Sequence, residues 1–188
     1  SLYCEWSPNE KVATEVAIGA SVAGVRAMSC MKHVGFNVAA DPTYTVSYMG
    51  VNGGLVIVVA DDPGLYSSQN EQDTRMVARA AQIPVIEPSD SAEAKDFFKV
   101  AFELSEKFDR PFIFRTTTRL AHSQGLVELC ERENVEDKEY VKNVQKNVMM
   151  PGNAIRRHPI VEQRTRDLIA YAESAPVNRV EMGDTKLG

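Results

Sequence analysis

The chain has 188 residues, 44% of them hydrophobic and 25% charged, with a formal net charge of −5. That is enough for one domain with a full core, or one domain plus an appendage, and the acid balance leaves no broad basic surface, which excludes nucleic acid as an expected partner. The longest apolar run, Leu55 to Ala60, is far too short to cross a bilayer, so no membrane association is expected.

Residues 1–6 lack the basic start and apolar stretch of a secretory leader. Cys4, Cys30 and Cys130 are odd in number and widely spaced, which fits neither a disulfide framework nor a zinc or iron–sulfur motif. Together these features point to a cytoplasmic protein with reduced thiols. His33, His122 and His158 are scattered, and none has a partner at metal-ligand spacing.

Residues 9–27 place Val12, Val16, Gly19 and Ala23 in one helical row and Ile18, Val22 and Val25 in another, with small residues between. Ser7 is the expected cap, Pro8 suits the first helical position, and Glu10 completes a capping box. Residues 28–32 read as a short strand. A helix is expected from about Asn37 to Met49, disturbed near its start by Asp41-Pro42, before Asn52-Gly53-Gly54 punctuates the chain.

Leu55 to Ala60 is continuously apolar and rich in β-branched residues, the pattern of a central parallel strand buried on both faces. Asp61-Asp62-Pro63-Gly64 ends it, and a polar loop leads into a helix through Met76, Val77 and Ala80. Ile83 to Ile86 is another short strand. Ser89 and Asp90 offer caps for a helix with the stripe Ala94, Phe97, Phe98, Ala101, Leu104 and Phe108. Pro111 stops it, and Phe112 to Thr118 is the next strand.

The alternation implies an α/β fold, a doubly wound and mostly parallel sheet with helices on both faces. Ligands gather at the carboxyl ends of such strands. The loops Lys32 to Phe36, Asp61 to Asp73 and Thr116 to Gln124 are therefore the expected functional edge. Residues 1–130 form this domain. Residues 131–188 read as a mostly helical extension or linker, charged over 131–147, broken at Met149-Met150-Pro151-Gly152, with a last helix from Ile160 to Glu173.

Several residues have two readings at this point. Glu10 is either a first-turn cap favoured by the helix dipole or a functional carboxyl. Asp61 and Asp62 either bind Mg²⁺ or form a turn, and with no third ligand evident the turn is favoured. Ser67, Ser68 and Gln69 either donate to a ligand or cap the next helix. Lys32 and His33 either meet an anionic substrate or are structural. Arg115 is either a carboxylate clamp or, more in keeping with a strand end, part of an ion pair. Asn52-Gly53-Gly54 precedes a strand and so is not a phosphate loop.

The ordered segments Glu5-Trp6-Ser7-Pro8-Asn9-Glu10-Lys11-Val12-Ala13, Met31-Lys32-His33-Val34-Gly35, Gly54 to Gly64, Ser67 to Asp73 and Ile83 to Ser91 resemble the pyrimidine-binding domain of the indolepyruvate ferredoxin oxidoreductase alpha subunit. The likeness runs over residues 4–129 and is weaker beyond. It implies thiamine diphosphate as cofactor and oxidative decarboxylation of an arylpyruvate to an aryl-acetyl-CoA, with coenzyme A and ferredoxin as partners of the whole enzyme. In the wider superfamily a Glu begins a helix of small residues with a Gly nine positions on, a pattern that Glu10 and Gly19 match, so the resemblance implies both as cofactor-binding residues. Glu10 is then the implied catalytic residue, hydrogen-bonded to the aminopyrimidine so that the ring can take the cofactor's C2 proton. Lys32, His33, Ser67, Ser68 and Gln69 become substrate-side candidates.

The family's Gly-Asp-Gly…Asn metal motif and its cysteine clusters do not occur in this sequence. The resemblance therefore implies that Mg²⁺, the diphosphate and the iron–sulfur clusters belong to a diphosphate-binding domain and other subunits, that the site completes across a homodimer, and that the isolated chain is inactive. Two rival readings are half of a split non-oxidative 2-oxoacid decarboxylase and a non-catalytic assembly module.

Overall fold

The computed structural model describes residues 2–180 and 182–184; Ser1, Glu181 and residues 185–188, the last at the end of the expected extension, lie outside it. The first helix, α1 (Glu10–Ala23), is capped by Asn9 and not by Ser7. Asn9 is extended, and its Oδ1 accepts from the Val12 N–H at 3.0 Å. Glu10 is thus the first helical residue, Pro8 lies outside the helix, and no capping box forms. A box needs its acid at the third helical position, which Val12 occupies. Gly24, at φ 108°, closes the other end by donating to the Ala20 and Ser21 carbonyls.

Strand β1 (Ala27–Lys32) runs directly into α2 (His33–Val38), so the expected loop over Lys32 to Phe36 is helical. The single helix expected over 37–49 is two, α2 and α3 (Ala40–Met49), separated at Ala39. Pro42 lies in the first turn of α3, where a missing N–H leaves no helical bond unmade, so it starts that helix rather than disturbing it.

Next come β2 (Leu55–Asp61), α4 (Thr74–Ala80), β3 (Val85–Ile86), α5 (Ser91–Phe108), β4 (Phe112–Thr117) and α6 (Thr118–Ala121). The third strand is shorter than expected because Pro84 has no N–H to donate; its carbonyl still accepts from Ile113. The four strands are parallel in the order β1-β2-β4-β3, and β2 is central, paired on both sides.

Hydrophobic continuity explains that position. Leu55, Ile57 and Val59 meet Ala17, Val46, Phe36 and Ala78 from the first four helices on one face. Val56 and Val58 meet Ala101, Leu104 and Phe98 of α5 on the other. Burial of each such large side chain contributes about 1.5–3 kcal/mol.

Beyond α6 the chain has no helix or strand until α7 (Val144–Asn147), and then α8 (Pro151–Ala172) packs back on the domain. Helix α8 begins nine residues earlier than the sequence pattern indicates. Pro151 takes its first position, where proline is preordered, and Pro159 lies inside it on an exposed face. Contacts on either side of Pro159 hold the helix together. Arg157 donates to the Tyr48 and Met49 carbonyls at 2.9 Å, and Val161 is buried.

Asp109 is the hub of this attachment. It ends α5 in the left-handed region at φ 50°. One oxygen accepts from Val51 N–H at 2.7 Å and from Lys146 Nζ at 2.8 Å, and the other pairs with Arg164. Asp109→Ala is expected to destabilise by about 2–3 kcal/mol, combining unpaired donors with an unfavourable left-handed alanine. Asp109→Asn, which tolerates that conformation and can still accept from Val51, is expected to cost less. Urea denaturation of both variants checks the order.

Candidate functional site

The expected functional edge is built around the loop between β2 and α4, and most of its polar groups hold one another. At the end of β2, Asp61 is fully buried. It accepts from the Thr74 N–H at 3.0 Å, from the Thr74 hydroxyl, and from Arg115 Nε at 2.6 Å. Arg115, on β4, also pairs with Glu87 at 3.2 Å. It is therefore an ion pair at the strand ends, the reading that its strand position favoured over a substrate clamp.

Asp62 accepts from the Thr118 hydroxyl at 2.7 Å, the Ser68 hydroxyl at 2.7 Å and the Ser67 N–H at 2.8 Å. These donors, Thr118 foremost, hold its carboxyl well below the usual carboxylate range. The two acids thus form the turn and anchor the loop. Among the described residues no group of three or more His, Cys, Asp or Glu could hold a metal ion.

The depressed Asp62 pKa has a pH consequence. Its folded value lies below its unfolded one, near 3.9 for an ordinary Asp, so its contribution is complete above about pH 4 and is lost as pH falls below it. Asp73, held low by Arg75, and Glu106, held low by Arg26, act in the same direction. Asp62→Asn is expected to weaken the acid-side fall in thermal midpoint without abolishing it, as melting curves from pH 2 to 7 would show.

The substrate-side candidates meet on this loop. Lys32 Nζ donates to the Ser67 carbonyl at 2.6 Å, and the Ser68 hydroxyl is held by Asp62. His33 is buried, with Nε2–H donating to the Asn70 carbonyl at 3.1 Å; its Nδ1 has no partner among the described residues. Gln69 is exposed at the loop tip. Asn37, Asn70, Gln72 and Thr118 complete the clasp, with Asn37 donating to Gln72. The sequence placed Asn70, Gln72 and Thr118 in the expected functional loops without singling them out, and carried no signal for Asn37, because their pairing is set by tertiary contact.

Glu10 differs from the other acids at this edge. Helix α1 runs antiparallel to the strands, which brings its first residue to their carboxyl ends, against Gly35 of α2. Glu10 is half-buried and forms no hydrogen bond or ion pair among the described residues. Asp41, by contrast, pairs with Lys11, and Glu71 accepts from the Gly64 N–H. A half-buried carboxyl with no partner among the described residues can accept from an amino group and, when protonated, donate to a ring nitrogen, so its chemistry is compatible with the aminopyrimidine of thiamine diphosphate. Gly19 lies on the same helix, about 13 Å along the axis by helical rise. It is exposed, with open space where a Cβ would be, and is not part of the Glu10 cluster.

No helix among the described residues is long and apolar enough to cross a membrane. Over residues 7–187 the sequence matches the family described as pyruvate flavodoxin/ferredoxin oxidoreductase, thiamine diP-binding. It is 48% identical over 188 residues to the indolepyruvate oxidoreductase subunit IorA of Archaeoglobus fulgidus, covering 99% of this chain and 30% of that protein. It is 50% identical over 194 residues to the IorA subunit of Pyrococcus horikoshii, covering 100% of this chain and 30% of that protein. The chain therefore spans about a third of the length of these relatives.

Among solved structures, a 2-oxoglutarate:ferredoxin oxidoreductase from Magnetococcus marinus superposes with a TM-score of 0.65 at 14% identity, over 88% of this chain and 36% of that one. That likeness establishes the shared fold. With a parallel α/β sheet and a family match along nearly its whole length, the chain belongs to the pyruvate flavodoxin/ferredoxin oxidoreductase family of thiamine-diphosphate-binding domains.

Proposed function

We propose that this chain supplies the pyrimidine-contacting half of the active site in a 2-oxoacid oxidoreductase that acts on an arylpyruvate of the indolepyruvate type. The observation that carries the reading is Glu10, the half-buried carboxyl left without a partner among the described residues where neighbouring acids are paired. When bound, thiamine diphosphate supplies the nucleophilic carbon and electron sink that decarboxylation requires. Glu10 would hold the pyrimidine through its carboxyl and exchange a proton with it, the positioned acid/base group that the protein must provide.

The names of the curated relatives support the arylpyruvate, and the family description supports ferredoxin or flavodoxin as electron acceptor. Coenzyme A would take the acyl group. Mg²⁺, the diphosphate and any iron–sulfur cluster would be held by other parts of the assembly, so the chain alone would not turn over. Lys32, His33, Ser67 and Ser68 would act on the substrate side by shaping the 62–73 loop, because their polar groups hold that loop from within. Gln69, exposed at its tip, would be the group free to meet substrate.

Gly19 and the half-exposed Val16 would let a partner domain lie close along α1, which supports assembly as a homodimer. Residues 1–130 would form the pyrimidine-binding unit and 131–188 an extension strapped to it. Three exposed free cysteines favour the reducing cytoplasm. The test is hydrogen–deuterium exchange at cofactor C2 in the complete oxidoreductase carrying Glu10→Gln. Slowed exchange supports the reading, and unchanged exchange in a folded variant overturns it.

A further inference from the structure

Helix α2 carries a glycine, Gly35, in its first turn. Glycine weakens a helix relative to alanine, and it is required where φ is positive. Gly35 is not among the positive-φ glycines of this chain, which are Gly24, Gly50 and Gly64. Backbone conformation therefore does not explain it. Space does. A Cβ at Gly35 would lie 2.6 Å from Glu10 Cγ, 2.7 Å from its Oε1 and 2.8 Å from its Cδ. The three nearest atoms all belong to the Glu10 side chain.

We propose that Gly35 is a positioning residue for Glu10, providing the slot that sets where its carboxyl lies. The inference rests on the reading of Glu10 as the cofactor's proton-handling group. The flanking backbone has little freedom to yield to a methyl group. Asn9 caps α1, buried Thr14 lies against Ser29 of β1, and α2 is anchored by buried His33 and Phe36. The Glu10 side chain has no hydrogen bond among the described residues to hold it in place, so it is the group that moves.

The experiment compares Gly35→Ala, Glu10→Gln and the double variant in the complete oxidoreductase. The thermal midpoint of Gly35→Ala is expected to be unchanged or slightly raised. Its crystal structure is expected to show the Glu10 carboxyl displaced by about 1 Å or more on unmoved helices, a misplacement large enough to slow C2 exchange by about 10²-fold. The double variant should exchange no more slowly than Glu10→Gln alone, because both changes act through one group.

Wild-type exchange in Gly35→Ala, beside slowed exchange in Glu10→Gln, would overturn the positioning role and leave the role of Glu10 intact. A full second slowing in the double variant would show that Gly35 acts by another route and overturn it too. Loss of folding in Gly35→Ala would make the glycine a requirement of the fold instead. Unchanged exchange in Glu10→Gln would remove both assignments together.

Discussion

Glu10→Gln in the complete oxidoreductase is expected to slow hydrogen–deuterium exchange at cofactor C2 by about 10²–10⁴-fold, the usual worth of a positioned acid–base group. The fold should survive. Asn9, not Glu10, closes the first turn of α1, and among the described residues Glu10 makes no hydrogen bond that glutamine would break. What is lost structurally is a first-turn negative charge, about 0.3–1 kcal/mol of helix-dipole interaction. Glutamine keeps the size and the hydrogen-bonding capacity of the side chain and loses the ability to exchange a proton. A large kinetic effect with a small change in thermal midpoint would separate catalysis from capping. The comparison is exchange at C2 against a melting curve for wild type and variant. A Glu10 that acted only in capping would leave exchange near the wild-type rate.

Asp61→Ala is expected to give the largest loss of stability, about 3 kcal/mol, the lower end of the range for breaking a buried pair from one side. Its side chain is fully buried and that of Arg115 is 7% exposed, so the substitution leaves a guanidinium in a low-dielectric position. Glu87 still pairs with Arg115 at 3.2 Å and offsets part of the cost, which is why the lower end applies. The first turn of α4 also loses the acceptor of the Thr74 N–H and hydroxyl.

Replacing both partners, as Asp61→Leu with Arg115→Met, is expected to recover much of the stability, since neither charge is then stranded. Urea denaturation of the single and double variants measures both effects. Exchange at C2 per folded molecule should change far less than in Glu10→Gln, because Asp61 is engaged in the loop and not in the reaction. An Asp61→Ala protein with wild-type stability would mean that the pair does not hold the edge together.

These two acids mark the boundary between what is legible in the chain and what is not. Leu55 to Ala60 is continuously apolar, and that alone demands a strand covered on both faces, so its central place in a parallel sheet follows from sequence. The stripe from Ala94 to Phe108 likewise determines which face of α5 is buried. Both signals are local and periodic, and burial of apolar area dominates their energetics. The family resemblance was legible for a similar reason: its motifs are short ordered runs around strand ends and helix starts.

The state of each carboxylate was not legible. Glu10, Asp61 and Asp62 all stand beside turns and helix starts, where acids are common for conformational reasons. Whether each is paired depends on residues far along the chain. Arg115 reaches Asp61 across 54 positions and Thr118 reaches Asp62 across 56, while Gly35 opens the slot at Glu10.

Helix α8 teaches the same lesson. Pro159 interrupts its pattern, and local propensity starts the helix only after it. Arg157 on the α3 carbonyls and buried Val161 and Arg164 hold it across the break. Sequence by itself determined the parallel sheet and its central strand, because hydrophobic periodicity is a property of neighbours in the chain. Only the tertiary structure decided which acid at the strand ends has no partner among the described residues, because pairing a charge requires partners that folding alone brings within hydrogen-bond reach.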